Sequence, residues 1–244
     1  MSRLRSHPGF TMIELVIVIM ILGIIAGVAI RKMGGSISTA QVEYTKTELD
    51  NLATAIAGNP ASYSLGSRAD FGYVGDIGAL PPNLDALFQN PGGYATWNGP
   101  YIERGVKSTD FKKDAWGADY VLNGTTLRST GSGSNIDKQF ANSVAALVSD
   151  TITGTIFDAN MTKPGVVYKD SLRIMLTYPN GSGSTTTATV FPDNQGRFTI
   201  PNVPIGCRQL RVIYLPATDT LTIPVTVCPG KICKLDVIFP ADLF

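Results

Sequence analysis

The stretch Gly9-Phe10-Thr11-Met12-Ile13-Glu14-Leu15 decides how the rest of the chain is read. It opens an apolar run over residues 10–30 in which Glu14 is the one charge. Coiled as a helix, the run measures about 32 Å, enough to span a hydrocarbon core of about 30 Å. Arg3 and Arg5 precede it and Arg31 and Lys32 follow, so charge alone sets no orientation. A secretory signal carries its small-residue cleavage site after the apolar core. Here Gly9 comes before the core, and cleavage there leaves the helix attached. A carboxylate inside a membrane helix costs about 2.5–3.5 kcal/mol, so Glu14 needs a partner or a function. Cleavage after Gly9 supplies one, the new α-amine of Phe10, about 6 Å of helix rise away. Between subunits staggered by that rise, such a pair fixes register more than it adds stability.

These residues resemble the class III signal of type IV prepilins and type II secretion pseudopilins. The resemblance implies that residues 1–9 are a leader, that a prepilin peptidase cuts between Gly9 and Phe10, and that Phe10 is then N-methylated. It implies an assembly role for Glu14.

The composition removes other classes. The net charge is +1 with 16% charged residues, and no basic patch interleaved with aromatics appears, which argues against nucleic acid as a partner. The single histidine, His7, lies in the segment expected to be removed. Without it there is no Ser-His-Asp or Cys-His mechanism and no zinc site of the usual His-containing kinds, so no enzyme is expected. Cys207, Cys228 and Cys233 form no CxxC pair and fit an oxidising compartment. A tight turn over Cys228-Pro229-Gly230-Lys231-Ile232-Cys233 could bring two Cα atoms within disulfide reach. A Cys228–Cys233 bridge is therefore expected, with Cys207 free and buried; pairing of Cys207 with either one is the competing arrangement.

Past the apolar run, Val42, Thr45, Leu49, Leu52 and Ile56 recur on one helical face, and Gly58-Asn59-Pro60 stops the helix. The assembly helix is placed at 10–58, with Gly34-Gly35 as a point where it could bend. A head follows at 59–131. Residues 58–78 read as a loop, and Asp70-Phe71-Gly72 matches a kinase signature by letters only. Asn83-Leu84-Asp85-Ala86-Leu87-Phe88 reads as a short capped helix, and residues 120–127 as a hairpin with an Asn-Gly turn.

Leu80-Pro81-Pro82-Asn83-Leu84-Asp85-Ala86-Leu87, Trp97-Asn98-Gly99-Pro100-Tyr101-Ile102 and Asp114-Ala115-Trp116-Gly117-Ala118-Asp119-Tyr120 follow in order. Together they are similar to the head of the major pseudopilin of type II secretion. That resemblance implies packing roles for Trp97, Tyr101, Trp116 and Tyr120. It also implies an acidic calcium loop, from which this chain departs. Residues 129–137 offer one carboxylate, Asp137, with Asn135 and the Ser129 hydroxyl as further candidates. Such a set would hold calcium weakly. A flexible Gly/Ser loop is the rival reading. No other cofactor is expected.

From residue 151 onward the sequence turns to short β-rich segments: 154–158, 172–178, 188–191, 198–200, 210–215, 221–227 and 234–239. Seven strands at this spacing argue for an antiparallel sandwich over 151–244, joined through a linker at 132–150 that could hold a short helix at 140–148. Gly154-Thr155-Ile156-Phe157-Asp158 and the segment from Asp193 to Gly206 look like the regulatory-like domain of carboxypeptidases, a transthyretin-like fold.

The expected fold is thus an α+β pilin fold, a long N-terminal helix plus a small antiparallel sheet, followed by an all-β transthyretin-like sandwich. The expected function is a structural subunit of a periplasmic pseudopilus in type II secretion. It is held in the inner membrane by a single pass before assembly, with its head in the periplasm. Its partners would be copies of itself, other pseudopilins, the prepilin peptidase and the inner-membrane secretion platform. A type IV pilin or minor pilin, and a membrane-tethered binding protein using its sandwich, are the rivals. The sandwich is expected to face outward and to fold alone.

Overall fold

A 46-residue helix, α1 (Met12–Ala57), leads the chain in the computed structural model, which describes residues 11–102 and 110–244. It is unbroken through Gly34-Gly35. Its apolar stripe continues into the head, where Leu49, Leu52 and Ile56 are buried. Gly58 ends it with φ +77, in the left-handed region that glycine tolerates, and any side chain there would strike the backbone of Asp70 and Phe71. Arg68 donates to the Ala57 carbonyl at 2.5 Å, satisfying an orphan of the last turn. By its contacts the chain divides into two units, Met1–Thr45 and Lys46–Phe244, and the helix runs through that boundary.

Residues 58–78, expected as a loop, are structured. A two-residue hairpin, β1 (Tyr63–Ser64) with β2 (Ser67–Arg68), is followed by α2 (Gly72–Ile77). Six residues are too few to show helical periodicity, yet Tyr73, Val74 and Ile77 are buried. Asp70 organises the entry: one carboxylate oxygen accepts the Asn59 N–H at 2.8 Å, the other the Gly72 N–H at 3.0 Å. The capped turn at Leu84–Leu87 forms as a 3₁₀ helix, with the Asn83 side chain accepting the Ala86 N–H at 3.2 Å.

The small sheet orders β3 (Val121–Asn123), β4 (Thr126–Ser129) and β5 (Ile136–Gln139), all antiparallel. The β3–β4 register pairs Asn123 with Thr126, so the two loop residues are Gly124-Thr125, one later than the expected Asn-Gly turn. The segment 132–150 is not a linker. It contributes β5 and the short helix α3 (Ala145–Val148), whose Leu147 is fully buried in the head core. The Gly/Ser composition before β5 hid a strand that the β4 edge templates.

The sandwich has seven strands: β6 (Asp150–Phe157), β7 (Leu172–Pro179), β8 (Thr185–Val190), β9 (Arg197–Val203), β10 (Gly206–Tyr214), β11 (Asp219–Val227) and β12 (Cys233–Ile238). A short helix α4 (Gly165–Tyr168) lies between β6 and β7. One sheet runs β11-β10-β7-β8 and the other β12-β6-β9. The pairing is antiparallel except between β12 and β6, which run parallel. Alternation places Ile152, Ile156, Leu172, Ile174, Leu176, Phe198, Ile200, Leu210, Val212 and Val237 in one core.

The sandwich does not stand apart from the head. Ile205 is buried in the head core. Gly181 N–H donates to Ile77 O at 2.9 Å, Thr96 N–H to Gly183 O at 3.2 Å, and Ile205 N–H to Leu147 O at 3.0 Å. The Arg208 guanidinium donates to Gly75 O at 2.8 Å and to Ile205 O at 2.7 Å.

Candidate assembly site

The helix start is built by Thr11 and Glu14. The Glu14 N–H donates to Thr11 Oγ1 at 3.3 Å, and Leu15 N–H closes the first helical bond to Thr11 O at 3.2 Å. The Thr11 hydroxyl reaches Glu14 Oε2 at 3.5 Å. Thr11-Met12-Ile13-Glu14 is thus a Thr-x-x-Glu capping sequence, with the acid in the first turn where the helix dipole favours it. Sequence reasoning gave Glu14 only an amine partner and missed Thr11, although the Thr-x-x-Glu spacing signals it. Gly9 and Phe10 lie outside the described residues.

Beyond the cap, residues 15–28 of the helix are apolar on every side. Met12 is 89% exposed, Ile13 70% and Ile24 64%, and Leu15 to Leu22, Ile25 and Val28 are exposed too. A helix hydrophobic all round must be covered, and each large apolar side chain removed from water contributes about 1.5–3 kcal/mol. No helix, among the described residues, is long and apolar enough to cross a membrane. The apolar run expected over 10–30 begins at Phe10, outside those residues.

The motif that opens at Asp114 is held together by its own hydrogen bonds. Asp114 Oδ1 accepts the N–H groups of Trp116 at 3.0 Å and Ala118 at 2.9 Å. Its Oδ2 accepts the Ser129 hydroxyl at 2.6 Å and the Gly131 N–H at 3.0 Å. Burial pushes the Asp114 carboxyl up, but the donors Ser129, Ala118, Trp116 and Gly131 outweigh it and hold it below the usual carboxylate range. The β4–β5 register sets Ser129 opposite Ile136, between Asn135 and Asp137, but two of these three side chains already have partners. Ser129 is committed to Asp114, while Asp137 takes a bidentate pair from Arg128 at 2.7 and 2.8 Å. No group of three or more His, Cys, Asp or Glu among the described residues is placed to hold a metal ion.

The aromatics expected in the core pack there to different depths. The Trp97 indole N–H donates to Ala86 O at 2.9 Å and its ring meets Tyr101 edge-on at 5.7 Å. Tyr101 donates to Asp76 at 2.7 Å, and buried Tyr120 donates to Glu48 of α1 at 2.6 Å. Trp116 is half-buried.

The Cys228–Cys233 bridge is not formed; both thiols are free, as is Cys207, which is exposed where burial was expected. Cys228 follows β11 and Cys233 opens β12, and these strands belong to different sheets. The connection is therefore a crossing between sheets, not the tight hairpin the spacing suggested. The exposed Cys207 thiol donates to Arg68 O at 3.4 Å.

Residues 4–30 match the prokaryotic N-terminal methylation motif, so the chain carries a type IV pilin-like class III signal. No curated protein matches the sequence. Among solved structures, the chain is similar to the dioxygenase domain of a dioxygenase–carbohydrate-binding protein fusion from Streptomyces sp. SirexAA-E, with 14% identity and a TM-score of 0.29 over 39% of this chain and 82% of that one. It is similar to BcpA, the major pilin subunit of Bacillus cereus, with 14% identity and a TM-score of 0.27 over 52% of this chain and 42% of that one. A streptococcal ancillary pilin matches at 11% identity with a TM-score of 0.27, over 49% of this chain and 43% of that one. This chain spans less than half the length of either pilin. None of these likenesses carries an argument about function.

Proposed function

We propose that the chain is a structural subunit of a type IV pilin-like filament, and specifically of a periplasmic pseudopilus serving type II secretion. The observation that carries this reading is the exposed, all-round apolar stretch of α1 over residues 12–28, with Glu14 as its single carboxylate, lying inside the methylation motif matched over residues 4–30. The helix is stored in the inner membrane as a single pass with the head in the periplasm. A prepilin peptidase removes residues 1–9 and methylates Phe10, and the secretion platform draws the helix out. Neighbouring copies and other pseudopilins then cover its apolar surface. Glu14 meets the Phe10 amine of a neighbour, and because an unpaired buried charge is costly, only the correct stagger is tolerated. The work is mechanical, with no catalytic residue and no cofactor.

Glu14→Ala removes a charge the membrane penalises, so insertion should be unchanged or improved while filament incorporation falls. Membrane fractionation beside a cross-linking assay separates the two effects, and normal assembly of the variant would overturn the pairing. Mass spectrometry of membrane-extracted protein should give a mature N-terminus at methylated Phe10. Loss of secreted proteins on deletion of the chain, with no filaments sheared from the cell surface, supports secretion over a surface pilus.

A further inference from the structure

The two sandwich sheets have four edge strands, and three of them carry devices that discourage pairing with another chain. β11 holds Asp219 and Pro224, β9 holds Arg197 and Pro201, and β12 holds Lys234 and Asp236. The fourth, β8, reads Thr185-Thr186-Thr187-Ala188-Thr189-Val190, with neither a charge nor a proline. Its β-branched residues favour strand pairing.

The register shows which backbone groups are open. Asn180 N–H donates to Ser184 O at 2.9 Å, and the β7–β8 pairing continues from Pro179 opposite Thr185 to Ile174 opposite Val190. Hydrogen-bonded and non-bonded pairs alternate along an antiparallel ladder. Thr186, Ala188 and Val190 therefore bond inward to β7, and Thr185, Thr187 and Thr189 turn their N–H and C=O groups outward. The 2.9 Å contact between the Thr177 and Thr187 hydroxyls fits a non-bonded pair, where side chains approach closest. Val190 and Ala188 pack against the core, so the strand is held from within, and among the described residues no backbone bond reaches the outward groups of Thr185, Thr187 and Thr189.

We propose that β8 is a docking edge for an extended, uncharged, β-branched segment of a different polypeptide, which adds to the β11-β10-β7-β8 sheet as a fifth strand. A second copy of the chain does not fit. Continuing the sheet head to tail sets β8 against β11 of the next copy, where Pro224 offers no N–H. Pairing β8 with β8 antiparallel requires a two-fold axis, which neighbours in a polar filament lack. This last step rests on the filament reading above. An uncharged edge also selects against charged strands, whose side chains would be carried beside threonines that cannot pair with them.

The test uses the full chain in detergent micelles and a fluorescently labelled peptide of alternating Thr and Val. Wild type should bind it saturably, and Thr187→Val, which keeps the backbone donor, should bind alike. Thr187→Pro deletes an outward N–H without cutting a bond to β7, and should bind roughly tenfold more weakly. In wild type, the peptide should slow hydrogen exchange at the Thr187 and Thr189 amides and leave the already bonded Ala188 amide unchanged. The proposal is overturned by absent or non-saturable binding, by equal binding of Thr187→Pro, or by protection elsewhere. Sedimentation showing wild-type dimers that Thr187→Pro dissociates would also overturn it, since the occupant would then be a second copy. Glu14→Ala should bind the peptide as wild type does, so failure of the filament reading and failure of strand docking are read separately.

Discussion

Two buried carboxylates carry opposite shifts, and the difference lies in their donors. Asp114 accepts four hydrogen bonds and is held low. Asp150, which opens β6, is pushed up to about 6 by burial, with the Gly230 and Lys231 N–H groups only partly offsetting it, and its Oδ2 has no hydrogen-bond partner among the described residues. The depressed Asp114 contributes stability at pH values above its unfolded pKa, lost as pH falls through the folded one. The raised Asp150 works in reverse: its contribution is greatest below the unfolded carboxylate range and is lost as pH rises through about 6. Asp150→Asn should therefore raise the melting temperature at pH 7.5 and flatten its dependence between pH 4.5 and 7.5. A variant with the wild-type pH profile would rule this out. Asp114→Asn should lose about 2 kcal/mol in urea unfolding at pH 7, because it trades charge-assisted bonds at a buried site for neutral ones.

At the scale of elements, what the sequence made legible follows from length and alternation. All seven sandwich strands were located, since each is long enough to show its core-facing residues, as Leu172, Ile174 and Leu176 do in β7. The hairpin β1–β2, helix α2 and strand β5 escaped because two to six residues establish no period and Gly, Ser and Asp surround them. Glu14 was legible as a charge in an apolar run, whereas the cysteines misled because closeness in sequence does not say which sheet a strand joins. The β7–β8 connection tests how an element is seated. Gly183 has φ +80, and a Cβ there would run into the Tyr94 ring of the head. Gly183→Ala should destabilise by about 1–3 kcal/mol through strain and crowding together, while far-UV circular dichroism stays unchanged. A melting temperature equal to wild type would mean that the Tyr94 contact is not maintained.

For the whole molecule, the two cores are unequal in what they need. The sandwich core is drawn wholly from residues of β6 onward, including Ile152, Leu176, Leu210 and Phe239. The head core borrows Ile205 from the sandwich, and the sandwich covers Ile77 and Leu147 through backbone bonds from Gly181 and Ile205. Arg208 closes the seam: burial lowers its pKa, with Asp76 opposing, and its guanidinium donates to carbonyls of both sides. The expectation of an independent outer module is therefore replaced by a one-sided dependence. Residues 150–244 alone should unfold cooperatively, since their core is intact. A chain ending at Ser149 loses Ile205 from its core and exposes the Gly75 and Leu147 carbonyls. Each buried apolar side chain removed costs about 2–5 kcal/mol, a large share of a small domain's stability. The truncated chain should still be processed at Gly9, because the peptidase acts at the other end, but it should melt well below the full chain and enter filaments poorly. Thermal melts of the two pieces and the full chain decide it. A truncated head as stable as the full chain would show that the seam contributes nothing to the head and restore the picture of two independent modules.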